Sequence, residues 1–158
     1  MVLAESYWAA DTTQPLLATT VGGALRAAAT AVPESIALVM GDVDPARRER
    51  WTYAQVLDIA EGVAGSLLER FAPGEHIALW AANCAEWVFL EYGAALAGLV
   101  LVPVNPSYTR DEVDYVLRQS RAVGVFYTDN YRGSSMRAVI AALSARRGRQ
   151  SVRVNSRG

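Results

Sequence analysis

Four places in this 158-residue sequence carry residue types able to do chemistry: His76, Cys84, the acids Asp42, Asp44 and Glu49, and the corner Asn105-Pro106. An imidazole is the side chain best suited to proton transfer near neutral pH. His76, the only histidine, opens an apolar run after the turn "APGE" with no metal or nucleophile partner in view, and it reads as structural. Cys84 stands at a helix start, where aligned N–H groups lower a thiol pKa. No base accompanies it, so it reads as a small packed residue. The three acids have the donor type of a cation site, but in a turn rich in Gly, Pro and Arg they read as solvated. Asn105-Pro106 ends a strand that feeds a helix, the position where α/β proteins hold ligands. Two prolines with no convergent charge make it read as a strand exit instead. Trp51, Trp80 and Trp87 read as core anchors. No catalytic, cofactor-binding or metal-ligating residue is assigned.

The elements that position these residues alternate regularly. "VGGALRAAATAV" (21–32) predicts an Ala-rich helix ended near Pro33, and "SIALVM" (35–40) a short buried strand before the turn "GDVDP". In 51–71, Thr52 and Gln55 fit a reciprocal capping box, and Val56, Ile59, Val63 and Leu67 fall on one helical face, expected to be core. "HIALWAA" (76–82) has strand length, and 83–99 follows as a helix with Asn83 and Glu86 in capping positions. "VLVPV" (100–104) is the next strand. Thr109 and Glu112 form another capping box, with Val113, Val116 and Leu117 on the inner face behind it. "VGVFYT" (123–128) and "SSMRAVIAAL" complete the pattern as strand and helix. Such alternation predicts right-handed βαβ units: an α/β fold with a parallel sheet layer flanked by helices, strands 76–82 and 100–104 paired in parallel, and Ile77, Leu79, Val102 and Val125 buried. No further apolar strand is expected after residue 128, because the tail is polar and Arg-rich, so the sheet reads as unfinished.

Composition excludes several classes. With 52% hydrophobic and 20% charged residues the chain is an ordinary globular sequence rather than a disordered one. "MVLAESYWAADTTQPLLATT" lacks the pattern of a signal peptide and no run has the length of a membrane span, so a cytoplasmic location is expected. A lone cysteine forms no internal disulfide. Every basic residue is Arg. Residues 1–143 hold ten of them against all sixteen acids, a net charge of −6, whereas 144–158 carry five Arg and no acid. The expected organisation is an N-terminal extension (1–20), a folded unit (21–143) and an Arg-rich tail (144–158) that is disordered or out of frame. The tail has no aromatic residue to stack on bases, and no nucleic-acid partner is expected.

The succession "WTYAQVLDIAEGVAGSLL" and "GEHIALWAANCAEWVFLEYGAALAGLVLVPVNPSYTRDEVDYVLRQSRAVGVFY" resembles the N-terminal portion of AMP-forming acyl-CoA synthetases, the adenylate-forming superfamily. The matching elements are Trp51-Thr52-Tyr53, Asn83 with Glu86-Trp87, Val102-Pro103-Val104-Asn105-Pro106, and the helix from Glu112 to Ser120, within roughly residues 20–143. "DNYRGSSMRAVIAAL" resembles the fatty-acyl branch. The resemblance implies ATP-dependent activation of a carboxylic (fatty) acid to an acyl adenylate and transfer to coenzyme A, with Mg2+. In the family the phosphate loop, the magnesium ligand, the ribose-binding Asp and two lysines come from later in the chain. Here there is no lysine and no Ser/Thr/Gly-rich loop. The expectation is an incomplete N-terminal subdomain of the ligase fold, a fragment cut by a frameshift, a split gene or a cloning boundary. It is inactive alone and prone to self-association through exposed sheet surface. The alternative is a standalone α/β binding domain without catalysis; a receiver or flavodoxin-like domain lacks its lysine or its phosphate loop.

Overall fold

The computed structural model describes residues 7–13, 15–147 and 150–153. The elements run α1 (Val21–Ala31), β1 (Ile36–Val39), β2 (Arg50–Thr52), α2 (Tyr53–Leu68), β3 (His76–Trp80), α3 (Ala85–Leu96), β4 (Val100–Val104), α4 (Arg110–Gln119), β5 (Gly124–Tyr127), β6 (Asn130–Tyr131), β7 (Ser134–Ser135), α5 (Met136–Arg147) and β8 (Gln150–Arg153). Among the described residues the central sheet has four strands in the order β4-β3-β5-β8, all parallel. Ile77 faces Leu101 on one side and Gly124 on the other.

Period-two alternation along β3 sends its side chains into two cores. Ile77 and Leu79 join Ala64, Leu67, Leu90 and Phe126 beneath α2 and α3. Ala78 and Trp80 join Val113, Leu117, Met136 and Ile140 beneath α4 and α5. Helices on both faces satisfy the requirement that parallel strands be covered twice. A third cluster, Leu25 with Val56 and Ala60, seats α1 and the β1–β2 hairpin on the outer side of α2 and α3. α2 and α3 approach so closely that a Cβ on Gly93 would lie 2.5 Å from Val63 Cγ1.

Both capping boxes form. Thr52 N donates to Gln55 Oε1 at 2.9 Å while Gln55 N donates to Thr52 Oγ1 at 3.3 Å. Glu112 Oε2 accepts from the backbone N and the hydroxyl of Thr109, both at 2.7 Å.

The structure corrects several expectations. Asn83 and Glu86 do not cap α3: its N-cap is Cys84, which makes no side-chain capping bond. The buried stripe of α2 is Val56, Ala60, Ala64 and Leu67, leaving Ile59 and Val63 half-buried at its margin, with Val63 packed against Gly93 of α3. β1 is not a buried strand. It pairs only with β2, antiparallel, and Ile36 and Val39 are exposed. Ile77, Leu79 and Val125 are buried, but Val102 is half-buried because β4 is an edge strand, where the exposed Pro103 is also tolerated. The strands that follow residue 128 are short and largely polar in sequence, and one of them extends the sheet: β8 pairs with β5 in the register Val125↔Ser151. Ladder bonds come from the backbone, so a polar segment can occupy an edge that apolar patterning does not reveal. α5 extends to Arg147. The rest of the Arg-rich segment, 148–149 and 154–158, lies outside the described residues. Among the described residues no helix is long and apolar enough to cross a membrane.

Candidate functional site

The carboxyl ends of β3, β4 and β5 open onto a cleft of about 330 Å³, the position where open α/β sheets hold ligands. Trp80 at the end of β3 forms its floor, the segment Pro106–Arg110 one wall, and the β6–β7 hairpin with the start of α5 the other. Each wall follows from local sequence. Val104 is buried, and the chain then leaves the sheet at Asn105, whose side-chain Oδ1 accepts from Ser107 N at 2.9 Å. The Asn105 carbonyl accepts from Tyr108 N at 3.0 Å and from Trp80 Nε1 at 3.0 Å. The corner is thus occupied in building its own turn, and it serves as the strand exit expected from its prolines.

In the opposite wall, Tyr131 pairs with Ser134 across Arg132 and Gly133, at φ 45° and 83°. A two-residue hairpin turn with both central residues at positive φ matches the right-handed twist of its strands. It holds the Arg132 guanidinium 5.3 Å from the centre of the Tyr131 ring. Beneath it the buried Thr128 hydroxyl donates to Met136 Sδ at 3.3 Å, and Ser135 Oγ accepts from Ala138 N at 3.2 Å. What faces the cleft is therefore the hydroxyl-bearing residues Ser107, Tyr108 and Ser134 with two arginines, Arg110 and Arg132. That set suits an anionic group. It contains no imidazole, thiol or carboxylate to act as base or nucleophile.

The residues singled out by type lie elsewhere. His76 sits at the amino end of β3, opposite the cleft, where Nδ1 hydrogen-bonds the Ser120 carbonyl at 2.6 Å. Cys84 is half-buried, and burial pushes its thiol above the ordinary range, outweighing the Trp87 amide; the Glu86 carboxylate adds to the rise. Glu86 Oε2 is itself buried without a hydrogen-bond partner among the described residues. Asp42 and Asp44 are exposed and committed to their turn: Asp42 Oδ1 accepts from Asp44 N at 2.7 Å, and Asp44 Oδ1 from Ala46 N at 3.0 Å. Among the described residues no three His, Cys, Asp or Glu side chains converge on a point where a metal ion fits. Asp42 and Glu49 line a wider hollow of about 970 Å³ between the β1–β2 hairpin and α3 together with Arg47 and Arg50, and Arg47 Nε lies 3.6 Å from Asp44 Oδ2. Trp51 packs there edge-on to Phe89 at 5.4 Å. Trp80 is a buried anchor and Trp87 packs against the first core.

Sequence reasoning missed Arg110, Arg132 and Ser134. The one available signal was the Arg-Gly pair between "NY" and "SS", a weaker hairpin mark than Asn-Gly because arginine rarely adopts positive φ.

Comparison with known proteins places these elements. The family model of the AMP-binding enzymes matches residues 25–156. YngI of Bacillus subtilis (strain 168), which carries the name of an acyl-CoA synthetase, is 36% identical over 129 residues, covering 81% of this chain and 23% of its own length. The mitochondrial medium-chain acyl-CoA ligase ACSF2 of Macaca fascicularis is 37% identical over 115 residues, covering 72% of this chain and 18% of its own. The solved Mycobacterium tuberculosis fatty acyl CoA synthetase superposes with a TM-score of 0.72 at 31% identity, covering 87% of this chain and 27% of its own. The chain therefore spans about a fifth of the length of the curated relatives it matches.

Proposed function

The chain belongs to the AMP-binding enzyme family, and from that premise we propose that it is the amino-terminal segment of a fatty-acyl-CoA synthetase. In this reading the larger protein joins a carboxylic acid to ATP as an acyl adenylate and passes the acyl group to coenzyme A. The observation that carries it is the extent of the family match, 25–156, which takes in the whole parallel sheet including β8. The segment contributes scaffold rather than chemistry. Adenylation requires charged groups arranged around the phosphates and the departing pyrophosphate. Among the described residues the cleft is lined by two arginines and hydroxyls with no imidazole or carboxylate, and the sequence holds no lysine. No step is assigned to this chain, and alone it is inactive.

Two further parts of the reading have physical support. Self-association of the isolated chain is favoured by the exposed Ile36 and Val39 on the hairpin and Val100 on the edge strand β4. A cytoplasmic location follows the sequence expectation, and cell fractionation tests it.

The test of function is a chimera in which this chain replaces the matching segment of the Mycobacterium tuberculosis fatty acyl CoA synthetase. Fatty-acid-dependent exchange of labelled pyrophosphate into ATP is expected to persist. A folded chimera without exchange counts against the reading.

A further inference from the structure

The amino end of the sheet, opposite the cleft, gathers arginines and exposed apolar residues. A helix that leads into a strand of a parallel sheet delivers its carboxyl end to the amino end of that strand, so α2, α4 and α5 all finish there. Arg70 follows α2, Arg121 follows α4, and Arg146 and Arg147 stand in the last turn of α5. The strand starts are neighbours: His76 lies beside Val100, Ile77 beside Gly124, and Gly124 beside Gln150. Arg70 and Arg121 are exposed and make no ion pair with a described residue, whereas Arg118 is engaged with Asp114. In the connections 69–75, 97–99 and 120–123 the acids are Glu69 and Glu75. Leu68, Val100 and Val123 are exposed at the end of α2 and the starts of β4 and β5. The N-terminal segment joins the fold at the same end, because α1 starts against the last turn of α3, where a Cβ on Gly22 would lie 2.8 Å from Leu96 Cδ2. In that segment Trp8 is 94% exposed and Leu16 98%, with Tyr7 and Leu17 largely exposed too.

We propose that this end of the molecule binds the surface of an anionic lipid bilayer. Arginine beside open aliphatic side chains, with Trp and Tyr on an adjoining segment, is the composition of an interfacial contact: the cations meet lipid phosphates, and the aliphatic tips and Trp8 enter the boundary between headgroups and acyl chains. Charge complementarity selects the anionic bilayer as occupant. The aliphatic residues decide against a nucleic acid, whose backbone is met by cations and whose bases are met by aromatic rings. The inference does not depend on the reading above, and it agrees with it, since a fatty acid partitions into bilayers through its buried methylenes.

The purified chain is sedimented with vesicles of equal parts phosphatidylcholine and phosphatidylserine, and with vesicles of phosphatidylcholine alone. Three variants accompany wild type. Arg70→Gln/Arg121→Asn removes two charges from the proposed face, with asparagine suited to the φ of 56° at position 121. Trp8→Ser alters a residue that is almost fully exposed. Arg48→Gln/Arg137→Gln removes the same charge from exposed positions at the opposite end, before α2 and in the first turn of α5. Circular dichroism melts confirm that each chain folds. Wild type and Arg48→Gln/Arg137→Gln are expected to bind the anionic vesicles alike, and phosphatidylcholine alone weakly. Arg70→Gln/Arg121→Asn is expected to bind the anionic vesicles about twentyfold less, at about fivefold per arginine, and Trp8→Ser about tenfold less. Wild type that stays in solution with the anionic vesicles, or four chains that bind them alike, overturns the proposal. Pelleting without lipid that Trp8→Ser abolishes overturns it in favour of a second copy. Binding of an RNA oligonucleotide that only Arg70→Gln/Arg121→Asn loses, with vesicles left unbound, overturns it in favour of a nucleic acid. Any of these results leaves the pyrophosphate exchange of the chimera as the separate test of the reading above.

Discussion

Trp80 at the end of β3 donates its indole N–H to the Asn105 carbonyl at 3.0 Å, tying the floor of the cleft to the corner that follows β4. Trp80 is 3% exposed while Asn105 is exposed, so the bond is part-buried. Trp80→Phe keeps most of the apolar volume and loses the donor. The carbonyl keeps its bond from Tyr108 N, so the expected loss is that of one hydrogen bond, about 0.5–1.5 kcal/mol, read as a lower urea midpoint at unchanged slope. An unchanged midpoint removes this bond from the account.

The α2–α3 crossing predicts opposite outcomes for one chemical change. Gly93→Ala places a Cβ 2.5 Å from Val63 Cγ1 and 3.3 Å from the Ala60 carbonyl, so the helices must separate. The expected loss is about 1–3 kcal/mol from overpacking, offset in part by helix propensity. Gly65→Ala meets nothing within 4 Å and is expected to gain about 0.5–1 kcal/mol. Thermal melts of the two variants should move in opposite directions.

The second capping box predicts an acid limb. Bonds from the Thr109 hydroxyl and backbone N–H hold the Glu112 carboxyl below the ordinary carboxylate range. A depressed folded-state pKa contributes stability that is present above the unfolded value and lost as the pH falls through the folded one. Glu112→Gln should therefore flatten stability against pH in the acidic range and leave the neutral range nearly parallel. A variant with the wild-type acid limb contradicts this.

Cys84 predicts slow thiol chemistry. Burial raises its pKa, so little thiolate is present at neutral pH despite its position at the start of α3. Labelling by a disulfide reagent should be slower than for free cysteine and accelerate on unfolding. Faster labelling than free cysteine in the native chain would point to an activated thiol.

These residues also show what the sequence disclosed. The boxes at Thr52–Gln55 and Thr109–Glu112 were legible because each closes within one helical turn, and Ile77, Leu79 and Val125 because apolar runs of strand length are fixed by burial on both faces. Val102 and the pair Ile59 and Val63 were over-read, since pattern marks a residue as apolar without saying whether a partner covers it. β8 went unread because its pairing is made by backbone groups, and Arg132 because its place in the cleft depends on a turn conformation that arginine seldom adopts. Asn83 gave way to Cys84 as N-cap by a single residue, the precision at which helix boundaries are set by geometry rather than composition.

The central claim, that the chemistry of this family lies outside the segment, is tested most directly by fatty-acid-dependent exchange of labelled pyrophosphate into ATP by the purified chain alone, with magnesium and a full-length synthetase as positive control. Loss of one well-placed donor typically costs about 3 kcal/mol, or roughly a hundredfold in rate, and here the lysines and the phosphate loop are absent together. The account predicts exchange no higher than the no-enzyme blank. Exchange well above the blank, abolished when the fatty acid is omitted and retained through further purification, would contradict it.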